Sequence, residues 1–276
     1  MRVRTVLSIA GSDSGGGAGV QADLKAFARC GVHGTTAITA VTAQNTVGVS
    51  AIHPIPPEIV IAQVRAVIGD IGVDAVKVGM LGTADVTLAV ARVLDELPVG
   101  TPVVVDPVMV AESGARLLDP DAQQALVQEI LPRATVLTPN LPEARALAGW
   151  ATEVEEGEQE EAVALGRALL ALGPEVVVIT GGHRARPVDL LFEAEGEGGV
   201  RVVELAGEHY SGGAAHGSGC THSSVLAAQL ALGFAPLEAA RTARALAGEA
   251  VRNGLSAIGA GAGPVDVLGL DRMRSL

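Results

Sequence analysis

Six short runs rich in Val and Ile punctuate the chain: VLSIA (6–10), TAITAVTA (36–43), DAVKVGM (74–80), PVVVD (102–106), ATVLTPN (134–140) and EVVVIT (175–180). Runs that are apolar nearly throughout are the pattern of strands buried on both faces, as in a parallel sheet. Each run ends in a polar or glycine-containing turn. Between them lie helix-length stretches with a 3.6-residue period, for instance ADVTLAVARVLDEL (84–97) and EEAVALGRALLALG (160–173), the latter closed by Gly173 and Pro174. This βαβα alternation predicts a three-layer, Rossmann-like α/β fold whose mainly parallel central sheet is flanked by helices.

The rhythm changes toward the C-terminus. DLLFEAEGEGGVRVVELAG (189–207) carries two strand-like pieces around a Gly-rich turn and predicts a hairpin at the sheet edge. Residues 218–232 and 236–253 read as two Ala-rich helices separated by Gly233 and Pro236. The acidic run EVEEGEQEE (153–161) reads as a solvated helix start, where carboxylates suit the helix dipole. No repeat, linker or low-complexity tail interrupts the chain, so one domain over residues 1–276 is expected.

Composition narrows the function. Apolar residues make up 49% of the 276 residues and charged residues 18%, enough to bury a core and too little charge for disorder. A net charge of −12 with only 2% aromatics argues against nucleic-acid binding, which needs basic grooves and stacking rings. No run of about 18 apolar residues could cross a bilayer, and the apolar stretch near the start is too short for a signal-peptide core. A cytoplasmic protein without a membrane partner is expected. Cys30 and Cys220 stand far apart with no CxxC, and the six histidines form no HExxH, which argues against disulfides and zinc. The only lysines, Lys25 and Lys77, do not follow a glycine, which eliminates a Walker A loop.

Three segments carry chemistry. AGSDSGGGAGVQADLKAF (10–27) follows the first strand and opens a helix, so its backbone can approach a ligand closely. Its glycines do not fit GxGxxG, and a dinucleotide-dependent oxidoreductase is thereby disfavoured. Asp13 and Asp23 add polar groups, and Asp23 equally fits a solvated first-turn carboxylate. In AAHGSGCTHSSVLAAQLALG (214–233), Gly217, Ser218 and Gly219 lead into a long apolar helix whose free N–H groups form an anion site. Cys220 in that first turn is either a small packing residue or a thiol whose pKa the helix field lowers, fit to accept a hydroxyl proton. His216 is placed to shape the turn, and the other histidines are taken as ordinary. LTPNLPEARAL (137–147) sets Asn140 at a strand end and Glu143 three residues on, a pattern that fits a helix cap or a hard cation held partly through water.

Together these segments, with TAITAVTAQNTVGV (36–49), KVGMLG (77–82), VVVDPVM (103–109) and TPNLPEA (138–144), resemble the phosphomethylpyrimidine kinases of the ribokinase-like superfamily, in order and over almost the whole chain. The resemblance implies a ribokinase-like domain that uses ATP and Mg²⁺ to phosphorylate 4-amino-5-hydroxymethyl-2-methylpyrimidine and then its monophosphate, in thiamin biosynthesis. It also implies a homodimer. Carried over, Gly11, Ala18, Gly19 and Asp23 would border the pyrimidine, Gln44 would pair with its amino edge, and Met80 and Val108 would line its pocket. The turn of Gly217, Ser218 and Gly219 would be the anion hole and Cys220 the base. Asn140 and Glu143 match an NxxE element that positions Mg²⁺ and phosphate. Asp106 would help hold hydrated magnesium, while Thr180 and Gly182 would lie beside ATP.

Some positions depart from the pattern. Thr180 stands where the family commonly has Lys, Ala214 and Ala215 replace an Asn-Thr pair, Glu112 occupies a usual Lys or Thr position, and the histidines often seen after GPV are missing. Arg184 or Arg186 is a candidate to restore the lost charge. The rival readings are a pyridoxal or pyridoxine kinase and a non-catalytic ligand-binding protein on the same scaffold.

Overall fold

The structure, a computed structural model, describes residues 2–112, 114–150, 158–181, 188–196, 199–208, 210 and 214–270. Gly182, Arg184, Arg186 and residues 153–157 of the acidic run lie outside them.

The chain alternates β1 (Thr5–Asp13), α1 (Gly19–Arg29), β2 (His33–Gln44), β3 (Val49–Pro54), α2 (Pro57–Asp70), β4 (Ala75–Val78), α3 (Ala84–Leu94), β5 (Val103–Val105) and α4 (Pro120–Ala125). It continues through β6 (Val136–Leu137), α5 (Leu141–Ala148), α6 (Glu158–Leu170), β7 (Val176–Ile179), β8 (Val188–Glu195), β9 (Gly199–Ala206), α7 (Ser218–Ala231) and α8 (Pro236–Arg252). All nine strands join one sheet in the order β3-β2-β1-β4-β5-β6-β7-β8-β9. The six strands from β2 to β7 run parallel, while β3, β8 and β9 pair antiparallel.

The six apolar runs are the parallel strands, and β8 and β9 pair antiparallel at the sheet edge, as the two strand-like pieces of 189–207 predict. The pattern missed β3, because VSAIHP is exposed along almost its whole length and shows no buried side to read. It is held as the partner of the C-terminal half of β2.

Alternation along the strands divides two cores. Leu7, Ile9, Val76, Val78 and Val105 pack with α2, α3 and α6 residues on one face. Val6, Ala75, Val104 and Val136 pack with α1, α7 and α8 on the other. Successive strand side chains point to opposite faces, so Ser8, Lys77 and Asp106 fall on the α1/α7 side. At the C-terminal end of β1 the register with β2 slips between Ala10 and Ser12. Gly11 sits at this irregularity, where a Cβ would come 3.0 Å from the Met80 sulfur. Such irregularities re-aim a strand end beside a site.

Candidate active site

The C-terminal strand ends and the loops above them enclose a cleft of about 490 Å³. Its floor holds a buried charge. Lys77 of β4 has no exposed side-chain surface, and its Nζ lies 3.1 and 3.3 Å from the two Asp23 oxygens and 3.6 Å from Asp106 Oδ2. Burial alone would drive the ammonium to give up its proton. The carboxylates, Asp23 first and then Asp106, outweigh that cost and hold its pKa above the usual lysine range. Asp23 is in turn satisfied by Ser8 Oγ at 2.6 Å and Ser224 Oγ at 2.7 Å, and Asp106 by Ser223 Oγ at 2.9 Å. One ion pair thus links α1, α7 and the sheet.

This corrects the expectation for Asp23. It does not border the cleft, because it is fully buried beneath it and is occupied in fixing Lys77, which does line the cleft. Lys77 is the residue that sequence reading missed. A lysine inside the otherwise apolar DAVKVGM was the available signal, since a buried cation demands a buried anion.

The first loop and the anion turn form adjoining walls. Gly11, Ala18 and Gly19 line the cleft, as do Gly217, Ser218, Gly219 and Cys220. Gly217 adopts φ +84° as the cap of α7, a left-handed conformation that favours glycine. Cys220 follows in the first turn, half-buried, with its thiol deep among protein atoms. That desolvation pushes its pKa up to about 12; Lys77 and the Gly19 N–H pull it down, while Asp106 and Asp23 push it further up. The expectation that the helix field leaves a ready thiolate is therefore corrected. Burial and two carboxylates win, and Cys220 carries its proton.

Opposite the first loop, Met80, Ala40 and Leu117 form a small apolar cluster with Val108 and Ala111 packed against it, separate from both main cores. Gln44 lies at the end of β2 on the cleft, where Thr42 Oγ1 donates to its Oε1 at 3.1 Å. The arrangement offers a flat apolar slot with a polar amide edge.

Asn140 and Glu143 form a full capping box at α5. Asn140 Oδ1 accepts from the Glu143 N–H at 2.8 Å, and Glu143 Oε2 accepts from the Asn140 N–H at 2.9 Å. Both also line the cleft. Burial first, then the nearby Asp106 charge, raise the Glu143 pKa to about 8, against the Asn140 and Met109 backbone donors. Capping therefore describes the contacts that both residues make here.

The far wall carries a second polar group. Asp189 accepts from the Gly181 N–H at 2.9 Å and lies 3.4 Å from His222 Nε2 and 3.5 Å from Arg244 Nη1. Burial works against its charge, but His222, Arg244 and the Gly181 N–H outweigh it and hold the carboxyl below its usual range. Thr180, at the end of β7, bridges to Asn140 and lines the same wall. Arg244 and Lys77 are the only Lys or Arg residues lining the cleft among the described residues. His222, taken as ordinary from sequence, is buried here.

The structure thus brings into one cleft Gly11, Ala18, Gly19, Gln44, Met80, Asp106, Val108, Asn140, Glu143, Thr180 and the turn 217–220. It leaves Asp23 beneath the floor, and Gly182 lies outside the described residues. A parallel α/β sheet with a cleft at its C-terminal edge, an anion turn opening a helix and a neighbouring acceptor slot defines a ribokinase-like small-molecule kinase.

The comparisons narrow this class. Residues 13–266 match the family model described as phosphomethylpyrimidine kinase. The hydroxymethylpyrimidine/phosphomethylpyrimidine kinase of Haemophilus influenzae is 45% identical over 96% of each chain, and that of Bacillus subtilis 41% identical over 96% of this chain and 95% of that one. The chain belongs to the phosphomethylpyrimidine kinase family. Among solved structures, the phosphomethylpyrimidine kinase of Clostridium difficile superposes with a TM-score of 0.73 at 37% identity, over 88% of this chain and 96% of that one. The pyridoxal kinase of Staphylococcus aureus, in complex with AMP-PCP and pyridoxal, gives 0.85 at 32% identity over 99% and 96%.

Proposed function

We propose that this kinase moves the terminal phosphoryl group of ATP to the hydroxymethyl oxygen of 4-amino-5-hydroxymethyl-2-methylpyrimidine, and then phosphorylates the monophosphate to the diphosphate, as steps of thiamin biosynthesis. The observation that carries the reading is one cleft holding an apolar ring slot with an amide edge next to a helix-opening anion turn that bears Cys220. The ring lies against Met80 and Val108, and Gln44 offers a donor and an acceptor to its amino-pyrimidine edge. The Ser218 N–H is taken by Ala215 O at 3.0 Å, so the Gly219 and Cys220 N–H groups at the start of α7 are the ones that face the phosphoryl oxygens, where charge gathers during transfer. Arg244, held by Asp189, supplies the cation on the nucleotide side that Thr180 cannot.

Asp106 and Glu143 fit a magnesium ion held partly through water, since magnesium takes one or two carboxylates together with phosphate oxygens. Bound there, magnesium would neutralise charge on the phosphates. The acceptor oxygen bonds to phosphorus as the bond to ADP breaks; Cys220 first gives its own proton to solvent at the open cleft, and the thiolate then takes up the hydroxyl proton. A cation held by Asp106 would offset one of the two carboxylate charges that, with burial, raise the Cys220 pKa. A cytoplasmic homodimer belongs to the same reading, and the exposed Val41, Val47 and Ile52 near the β3 edge supply apolar surface for a second copy.

A second reading, pyridoxal phosphorylation in the same cleft, draws on the higher superposition with the Staphylococcus aureus enzyme. Incubation with ATP and Mg²⁺ and, in parallel, the hydroxymethylpyrimidine, its monophosphate and pyridoxine, with products resolved by mass, separates the two. Diphosphate from the monophosphate is expected. Consumption of pyridoxine with both pyrimidines untouched would overturn the proposal. Cys220→Ala should lower kcat by about 10²- to 10⁴-fold with acceptor binding retained by calorimetry; wild-type turnover would remove Cys220 as the base.

A further inference from the structure

Asp13 and His216 stand 203 residues apart and meet where the two glycine segments touch. Asp13, at the end of β1 and 3% exposed, organises the first loop with its carboxylate. Its Oδ1 accepts from the Gly15 N–H at 2.7 Å, and its Oδ2 accepts from the Gly17 and Ala18 N–H groups at 3.0 and 2.8 Å. His216 Nε2 approaches the same Oδ2 at 3.0 Å. Burial opposes the charge on Asp13, but His216 and the backbone donors outweigh it and hold its pKa below the usual value. A carboxylate accepts in all four contacts, so Nε2 is the nitrogen that carries hydrogen.

The fit around this contact is tight on both sides. A Cβ on Gly17 would come 2.2 Å from the His216 ring, and a Cβ on Gly217 would come 1.8 Å from the Gly17 carbonyl oxygen. The loop therefore makes room for the imidazole, and the turn makes room for the loop. His216 is anchored from behind, where its N–H donates to Gly263 O at 3.3 Å and its carbonyl accepts from the Val265 N–H at 3.1 Å. The residue after it, Gly217, caps the helix that carries Cys220.

We infer that the Asp13–His216 pair is a positioning clasp that fixes the acceptor-binding loop against the anion turn. Neither side chain transfers the proton or the phosphoryl group. Their hydrogen bond sets the separation and angle between the acceptor hydroxyl, held by the 11–19 wall, and the phosphoryl group, held by 217–220. The inference rests on the kinase reading of the cleft but not on which acceptor is phosphorylated. Misplacement of reacting groups by about 1 Å can cost about 10²-fold in rate even where both partners still bind.

The test is a kinetic split in the full-length enzyme, with whichever acceptor the wild type turns over. His216→Ala should lower kcat by about 10- to 100-fold, while calorimetric affinities for acceptor and for AMP-PCP stay within about threefold. His216→Gln, whose amide nitrogen can occupy the place of Nε2 and donate to Asp13, should recover most of that loss. Combining His216→Ala with Asp13→Asn should be no worse than the poorer single variant, because both remove one contact. If His216→Ala fails to fold, the comparison of His216→Gln with Asp13→Asn stands in, with near-wild-type kcat expected only for the former. Unchanged kcat in His216→Ala, a loss confined to the affinity of one substrate, or a Gln variant as impaired as the Ala variant would overturn the clasp. An inactive wild type on all three acceptors would instead count against the kinase reading, and not against the clasp.

Discussion

The floor of the cleft and its far wall are both built around a carboxylate and a cation, yet they are solved differently. At the floor, Asp23 meets Lys77, Ser8 and Ser224 within 3.3 Å, so both partners are fixed in a dry setting. At the wall, Asp189 stands 3.4 and 3.5 Å from His222 and Arg244, and among the described residues Asp189 Oδ2 and both His222 ring nitrogens are buried without a hydrogen-bond partner. The floor is complete in protein alone. The wall is polar, and its contacts among the described residues are longer. Short, mutually satisfied contacts beneath the cleft against longer ones along its wall are the contrast between the two.

Removing the cation at the floor should have the largest effect. Lys77→Ala leaves Asp23 and Asp106 buried without counter-charge, and a broken buried pair costs about 3–5 kcal/mol. Urea unfolding should register that loss together with near-complete loss of turnover. A variant as stable as wild type would show that the floor is not the closed ion pair described.

Between floor and wall, Glu143 gives a pH signature. It keeps its proton to about pH 8 when folded, against 4.5 for an ordinary glutamate carboxyl. The folded state therefore binds the extra proton across that interval, and stability falls as pH rises through it. Thermal unfolding of the ligand-free enzyme should show a falling Tm toward pH 8, and Glu143→Gln should flatten this component. A parallel slope in the variant would assign the dependence elsewhere.

At the wall the expected effects are smaller. Asp189→Asn loosens Arg244 and should raise KM for ATP by about tenfold, near 1.4 kcal/mol, with KM for the acceptor unmoved. Equal effects on both substrates would make the wall part of the general scaffold. Thr180→Lys, which adds a cation at the end of β7, should lower KM for ATP by a few-fold; an unchanged value would mean that Arg244 and magnesium already fill that role.

Much of this was legible before the fold was known. The apolar runs marked β1, β2 and β4 to β7, Gly233 and Pro236 separated α7 from α8, and the LTPN and HGSGC segments marked two walls of the cleft. What was not legible lay where the contact is remote in sequence. Lys77 looked like a lone charge in a strand because its partner sits 54 residues away in α1. Asp23, on the motif that carries the resemblance, faced the wrong way for its expected part. Asp13 carried a local signal, an aspartate followed by glycines, but its fourth contact comes from near the other end of the chain.

By itself the sequence determined the class of fold, the position of the glycine segments and the family. Short-range periodicity, turn residues and ordered motifs carry that information locally. The tertiary structure alone decided which carboxylate meets which cation and on which side of the sheet. It also decided that burial outweighs the helix field at Cys220, and that one histidine locks two distant loops together. Those outcomes depend on desolvation and on distances between residues far apart along the chain.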